Sequence, residues 1–455
     1  MSQCIFPKNF VFGAAASAFQ IEGAVIEDGR GPTIWDVFSH KEGKTLKNAH
    51  ADVACDHYHK YKEDVALMKQ LNLQAYRGSI AWSRIYPEGK GRVNQKGLDF
   101  YKRLTDELLK KDITPYYTLF HWDLPLALQK EFGGFQSRKI VDAFGNYVDT
   151  VVGALGDRVS NWMTVNEPFE YAGMGHLLGN FAPGKKNPWL YFRAMHNYLL
   201  SHGEAVQRIR SRYPESNIGL AVSLTPIHPA KDDPKTIKAA KLANQFLNDI
   251  TLSPLFKAEY PRELYKKVRM FMPKIYPGDM EKITTPIDFF GINNYQREFA
   301  TYNRFFPLLH FDVSGVGERR EDLYVDGAEY THIGWEVYPK SIRESIEMVQ
   351  GYTDTPIYIT ENGAAFKDEL TERGVYDDRR INFIKECLKE INTAMQNGAP
   401  VKGYFVWSVM DVFEWSGGYK PTFGLIYHNR KNNKRTIKDS GYWYAKVIDN
   451  RGFSL

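Results

Sequence analysis

Eight times along this chain a short β-branched or aromatic run gives way to a longer stretch of helical period, and this alternation restricts the fold more than any other feature. The strand-like runs are Phe10 to Ala14, Ala75 to Trp82, Pro115 to Trp122, Trp162 to Asn166, Ile218 to Leu224, Asp288 to Tyr295, Pro356 to Thr360 and Lys402 to Val409. Between them lie apolar stripes such as Ala54, Tyr58, Tyr61, Val65 and Met68, or Leu98, Tyr101, Leu104 and Leu108, each at the spacing of one helix face. Strands that alternate with helices pair in parallel through crossovers. Eight such units in order predict an α/β protein built as a (β/α)8 TIM barrel.

A minimal barrel needs about 250 residues, and this chain has 455. The surplus falls in three long insertions, Val25 to Ala51, Phe169 to Asn187 and Phe299 to Glu336, each after a strand. Such loops decorate the C-terminal face of a barrel, so residues 1–455 are expected to form a single catalytic domain with one deep pocket there.

Charge and cysteine content narrow the partners. Lys and Arg total 59 against 54 Asp and Glu, for a net charge of +5. The densest basic run, His428 to Arg435, is interleaved with asparagines and reads as a solvated turn, so no nucleic-acid partner is expected. No segment has the 18 or so apolar residues that span a bilayer, and Lys8 interrupts the only apolar N-terminal stretch, so neither a membrane partner nor a signal peptide is expected. The three cysteines are Cys4, Cys55 and Cys387. They are too scattered for a disulfide framework, which fits a reducing, cytoplasmic setting.

Aromatic residues make up 14% of the chain, and several tryptophans adjoin polar groups, as in His121-Trp122-Asp123, Trp407-Ser408 and Glu414-Trp415. Flat apolar faces beside hydrogen-bonding groups suit a sugar ring, which has C–H faces and a hydroxyl rim. Two strand ends also carry a glutamate: Met163-Thr-Val-Asn-Glu167-Pro168 and Ile357-Tyr-Ile-Thr-Glu361-Asn-Gly363. Carboxyls on two strand ends of one barrel can face each other across the pocket. A carboxyl pair flanking an acetal can protonate the leaving oxygen and attack the anomeric carbon.

These residues match a family. The chain resembles glycoside hydrolase family 1, the retaining β-glucosidase and β-galactosidase family, through Phe10 to Ala24, His121-Trp122-Asp123-Leu124-Pro125, Thr164 to Pro168, Gly291 to Tyr295, Thr360 to Gly363 and Phe413-Glu414-Trp415. The resemblance implies hydrolysis of terminal β-D-glucosides, with galactosides and fucosides as further substrates, through a covalent glycosyl-enzyme. It implies Glu167 as general acid/base and Glu361 as nucleophile, with carboxyls about 5 to 5.5 Å apart. Arg77, Tyr295 and Asn293 would support them. Asn166 would hold the sugar 2-hydroxyl, Gln20, His121, Glu414 and Trp415 the other hydroxyls, and Trp407 would lie under the ring. Trp122, Phe423 and Trp335 would complete the walls, Trp335 toward the leaving group.

Gly78, Asn294, Gly417 and Thr422 depart from the usual family pattern, all at non-catalytic positions. A 6-phospho-β-glycosidase is the alternative within the family, with Lys420 the one basic residue beside the Glu414 segment. A non-catalytic sugar-binding barrel is disfavoured by the presence of both glutamates. The partner expected is a small-molecule or oligosaccharide β-glycoside, and a homo-oligomer is compatible. His57 and His59 point apart on a helix and lack a third ligand, so no metal is expected. Gly315-Val316-Gly317 lacks the third glycine of a dinucleotide loop and no Walker motif occurs, so no cofactor is expected.

Overall fold

The computed structural model describes residues 3–315 and 320–454, which leaves Val316 and Gly317 of the glycine pair outside the described residues. Eight parallel strands close into a barrel in chain order: β1 (Val11–Ala15), β2 (Ala75–Ser79), β3 (Thr114–Thr118), β4 (Asn161–Asn166), β5 (Asn217–Ser223), β6 (Phe289–Asn293), β7 (Ile357–Asn362) and β8 (Val401–Trp407). The principal outer helices are α1 (His57–Gln70), α2 (Gln95–Lys110), α3 (Lys139–Leu155), α4 (Pro188–Arg212), α5 (Pro234–Asn244), α6 (Lys340–Gln350), α7 (Asp378–Gln396) and α8 (Asp439–Asn450). The structure is the (β/α)8 barrel that the alternation predicts.

Aromatic rings plug the barrel below the strand ends. Tyr116 of β3 meets Phe405 of β8 at 5.1 Å and Tyr358 of β7 at 5.8 Å, and Phe289 meets Tyr358 at 5.2 Å. Gly13 is required beside this plug, because a Cβ there would fall 2.5 Å from the Phe405 ring and 2.7 Å from the Ala75 carbonyl. Truncating a ring this buried to Ala costs about 3–5 kcal/mol.

The structure corrects the sequence reading in three places. Strands β2, β3 and β8 stop at Ser79, Thr118 and Trp407, two to four residues before the apolar runs end; past β2 the chain enters a short helix, Trp82–Ile85, and past β3 it places His121 and Trp122 on the pocket. The one helix that the alternation predicts between β5 and β6 divides into α5, a π-helical turn Gln245–Asp249 and a helix Ile250–Lys257. Asn248 anchors that turn, its amide bridging the backbone of Thr225 at 2.8 and 3.1 Å. The insertion read as a loop from Phe299 to Glu336 carries two strands, Glu298–Tyr302 and Phe311–Val313, which join Ile227–Pro229 in a three-stranded sheet. Among the described residues no helix is long and apolar enough to cross a membrane.

Candidate active site

The ends of β3 to β8 deliver side chains to one cavity of about 370 Å³ at the C-terminal mouth, lined by Glu167, Glu361, Glu414, His121, Tyr295 and seven tryptophan or phenylalanine rings, among others. Glu167 follows the last residue of β4, and its amide donates to the Ala221 carbonyl of β5 at 2.8 Å. Its φ is +48°, and Trp122 and Trp415 on the same cavity have φ of +76° and +50°. Left-handed backbone at a non-glycine residue costs on the order of 1–3 kcal/mol. Three such residues therefore trade stability for the direction in which their side chains point.

Glu361, on β7, lies in register with Asn293 of β6. The Arg77 guanidinium of β2 donates to one of its oxygens, and the Tyr295 hydroxyl donates to the other at 2.5 Å. Arg77 also donates to Asn166 Oδ1 at 2.6 Å and to the Thr360 carbonyl at 3.2 Å, so one buried cation ties β2, β4 and β7 together.

Asn293 orients Glu167. The Thr360 hydroxyl donates to Asn293 Oδ1 at 2.7 Å, which turns the amide nitrogen toward Glu167 Oε1 at 2.7 Å and Asn166 Oδ1 at 3.1 Å. Glu167 therefore receives one neutral donor where Glu361 receives a cation and a phenol. Burial pushes the Glu167 carboxyl well above its ordinary range, and the charges of Glu170 and Glu361 push it further; Asn293 and Arg77 only partly offset this.

The opposite wall is equally constrained. Asn166 Nδ2 donates to His121 Nε2 at 3.2 Å, which leaves the ring proton on Nδ1. Burial, with Arg77 adding to it, holds His121 well below its usual pKa, so the ring is neutral. His121 stacks near Trp407 and Trp415, each 6.1 Å away. The Trp407 indole donates to Glu414 Oε1 at 3.0 Å. Burial pushes Glu414 up to about 8, helped by the charges of Glu361 and Asp411.

Gln20, Arg77, Asn166 and Asn293 are fully buried behind this surface rather than on it. Gln20 accepts from Ser17 at 2.6 Å and donates to the Phe413 carbonyl at 2.8 Å and to Glu414 at 3.4 Å, so it backs Glu414. Trp335 and Phe423 pack on the Tyr295 ring at 5.3 and 5.9 Å, Trp122 on Trp415 at 4.7 Å. The segment from Asp411 to Gly424 rests on buried charges: Lys438 donates to Asp411 at 2.7 Å, and Arg380 donates to the Thr422 carbonyl at 2.7 Å.

The departures from the family pattern resolve locally. The Asn294 amide donates to the Leu224 carbonyl and to Ser345, away from the cavity, and the Thr422 hydroxyl donates to the Phe366 carbonyl at 2.5 Å. Gly78 faces the Tyr76 ring, where a Cβ would come within 2.9 Å. Gly417 lines the cavity itself.

Among the cavity residues that the sequence reading did not name, Glu170 bears most directly on Glu167. Glu170 opens the π-helical turn Glu170–Leu178, three residues after Glu167, in what had read as a loop. Burial pushes its carboxyl up to about 7, with the charge of Glu361 adding to the shift, and its Oε2 is buried without a partner. Helical spacing from Glu167 was the available signal, hidden because no apolar stripe marks the turn.

Two buried carboxyls on one pocket, one held by a cation and the other raised well above its ordinary pKa by burial, beside stacked aromatic faces, are the equipment for cleaving a glycosidic bond. The comparisons agree. The glycosyl hydrolase family 1 profile matches residues 2–453. Beta-glucosidase A of Thermotoga maritima is 43% identical over 450 residues, covering 98% of each chain. A solved structure of a T. maritima family 1 glycoside hydrolase, complexed with a cyclophellitol-analogue transition state mimic, superposes with a TM-score of 0.95 at 40% identity, covering all of both chains. Aryl-phospho-beta-D-glucosidase BglC of Bacillus subtilis is 36% identical over 469 residues, covering 99% of this chain and 98% of that one. The chain belongs to glycosyl hydrolase family 1, and it is a glycoside hydrolase.

Proposed function

We propose that this enzyme hydrolyses terminal β-D-glucosides with retention of configuration, Glu167 serving as general acid and base and Glu361 as nucleophile, and that β-D-galactosides and fucosides enter the same site. The observation that carries the assignment is the unequal holding of the two carboxyls. Arg77 and Tyr295 both donate to Glu361, which suits an anionic attacking oxygen. Glu167 sits in an environment that retains a proton, which suits an acid. Glu361 attacks the anomeric carbon as Glu167 protonates the departing oxygen; the same Glu167, now ionised, then takes a proton from the water that releases the sugar.

In this reading His121 and Glu414 hold the glycone hydroxyls, Trp407 and Trp415 its faces, Gln20 keeps Glu414 in place, and Asn166, hydrogen-bonded to His121, fixes that ring from behind. Trp335 contacts the leaving group. Three unpaired, buried cysteines support a reducing, cytoplasmic setting. Proton NMR of the first-formed sugar should show the β anomer before mutarotation; a first-formed α anomer would reverse the mechanism.

A 6-phosphate on the glycone finds little support. Among the described residues no lysine or arginine lines the cavity, and Lys420 faces a separate depression with Lys367 and Tyr427. A dianion would instead meet the Glu414 carboxyl with no cation beside it, and ionising Glu414 there would set like charges a few ångströms apart, which repel by several kcal/mol even at an effective dielectric of about 20. p-Nitrophenyl β-glucoside should therefore show a higher kcat/KM than its 6-phosphate. The opposite order would change the substrate class and leave the two-carboxyl chemistry intact.

A further inference from the structure

The first long insertion and the residue just after it bring together three side chains that the catalytic site does not use. Among the described residues, His40, His50 and Asp52 form one group whose ligand atoms all lie within 4.8 Å of one another. His40 caps the C-terminal end of the helix Ile34–Ser39, whose start is fixed by a reciprocal pair of hydrogen bonds between Thr33 and Asp36. His40 Nδ1 lies 2.7 Å from the Asp36 carbonyl. A carbonyl only accepts, so Nδ1 carries the proton and the lone pair of the neutral ring is on Nε2.

That lone pair faces Asp52 Oδ2 at 3.2 Å, and His50 Nδ1 approaches the same oxygen, also at 3.2 Å. The two rings lie nearly parallel, centroids 4.7 Å apart. With a proton on each converging nitrogen, His40 must be an imidazolium while His50 can be the neutral Nδ1–H tautomer, an ion pair that leaves the charged ring against its parallel neighbour. With His40 neutral, its Nε2 lone pair instead faces a carboxylate oxygen. A divalent cation relieves that conflict, since it accepts all three lone pairs while both rings stay neutral.

We propose that His40 Nε2, His50 Nδ1 and Asp52 Oδ2 bind a transition-metal dication, zinc being the best match. Ligand atoms about 2.0 Å from a tetrahedral ion stand about 3.3 Å from one another, close to the two separations of 3.2 Å. Two imidazoles and one carboxylate suit zinc better than calcium or magnesium, which take all-oxygen shells. The Asp36 carbonyl supplies the outer contact that typically fixes a ligating histidine. The remaining coordination position opens to water, since both histidines are about half exposed.

The site adjoins the mouth of the cavity. The Tyr419 hydroxyl donates to the His50 carbonyl at 3.0 Å, and Gly418 packs so closely on Leu46 and Ala49 that a Cβ would come within 3.0 Å of each. An ion here ties the insertion across the back of the segment that carries Glu414 and Trp415. Sequence spacing concealed the group, because intervals of ten and two residues match no helix face or compact metal motif.

The test uses the full chain stripped with a chelator and then titrated with zinc sulfate, followed by calorimetry and by thermal melts. One ion per chain and a rise in Tm are expected. His40→Ala and His50→Ala should each weaken binding by at least about 10-fold and remove the rise. His59→Ala, at another exposed histidine, which pairs with Glu27 and Asp56, should leave both intact. Metal-free melts of each variant establish that it folds. Cobalt substituted at the site should give the strong visible bands of a four-coordinate ion. Absence of saturable uptake by the wild type, or uptake undiminished in both the His40 and His50 variants, overturns the proposal.

Discussion

The floor and the outer wall of the cavity are built in different ways. Floor residues such as His121, Asn166 and Glu361 stand at or just past strand ends and are locked by short side-chain hydrogen bonds across β2, β3, β4, β6 and β7. The outer wall, with Phe169, Ile333 and Trp335 from insertions and Leu247 from the π-helical turn after α5, is held mostly by ring and aliphatic packing. A hydrogen-bonded lattice fixes atoms to a few tenths of an ångström, which bond cleavage demands. Packed rings tolerate exchange. The floor should therefore set the chemistry and the glycone, and the wall should grade the leaving group.

The largest effects should come from the two floor carboxyls, and they should differ in kind. Glu361→Gly removes the attacking atom and should lower kcat about 10⁴-fold or more for every leaving group. Added azide should then enter from the vacated face and give an α-glycosyl azide. Glu167→Ala removes proton donation and should cost about 10²–10⁴-fold for alkyl glycosides. Dinitrophenyl glycosides, whose leaving group needs no proton, should lose far less, and azide should give the β-azide. Interchanged products would exchange the two roles.

Glu414 offers a smaller effect that reads floor electrostatics through stability. Its folded-state pKa of about 8 lies above the ordinary value of 4.5, so the folded state holds the proton longer. Its contribution to stability is then full below about 4.5 and disappears as pH rises toward 8. Glu414→Gln should flatten the fall in Tm across that window while lowering kcat/KM by about 3- to 10-fold, the worth of a neutral hydrogen bond. A Tm profile parallel to the wild type would mean that solvent reaches Glu414 and cancels the burial.

The same division explains what the sequence made legible. Strands of the barrel repeat a pattern of β-branched and aromatic runs, so all eight strands and the two strand-end glutamates could be read in order. Inserted segments obey no period. The three-stranded sheet built from Ile227–Pro229, Glu298–Tyr302 and Phe311–Val313 joins residues about 70 to 85 apart along the chain, and its strands are too short to announce themselves. Gln20 shows a subtler gap: its motif placed it at the mouth, but only coordinates reveal that its amide is spent on Phe413 and Glu414. Glu170 was missed because its partners, Glu167 apart, lie on other strands.

Glu170 is also the residue that can break the division, for it belongs to an insertion yet presses on the floor. Its repulsion is the largest charge effect raising the Glu167 carboxyl, second only to burial. With its own pKa at about 7, Glu170 is mostly ionised where the alkaline limb of activity lies. Glu170→Gln removes that charge and keeps the shape. Ionised Glu167 then becomes easier to form, so the alkaline limb of kcat/KM should move to lower pH. Both carboxyls titrate as a coupled set, and the limb reports their joint behaviour. At acidic pH, where Glu170 is neutral in the wild type, the variant should match it on an activated aryl glucoside. A limb that stays in place would mean that the insertions grade the leaving group alone, and that Glu167 owes its retained proton to burial and to Glu361.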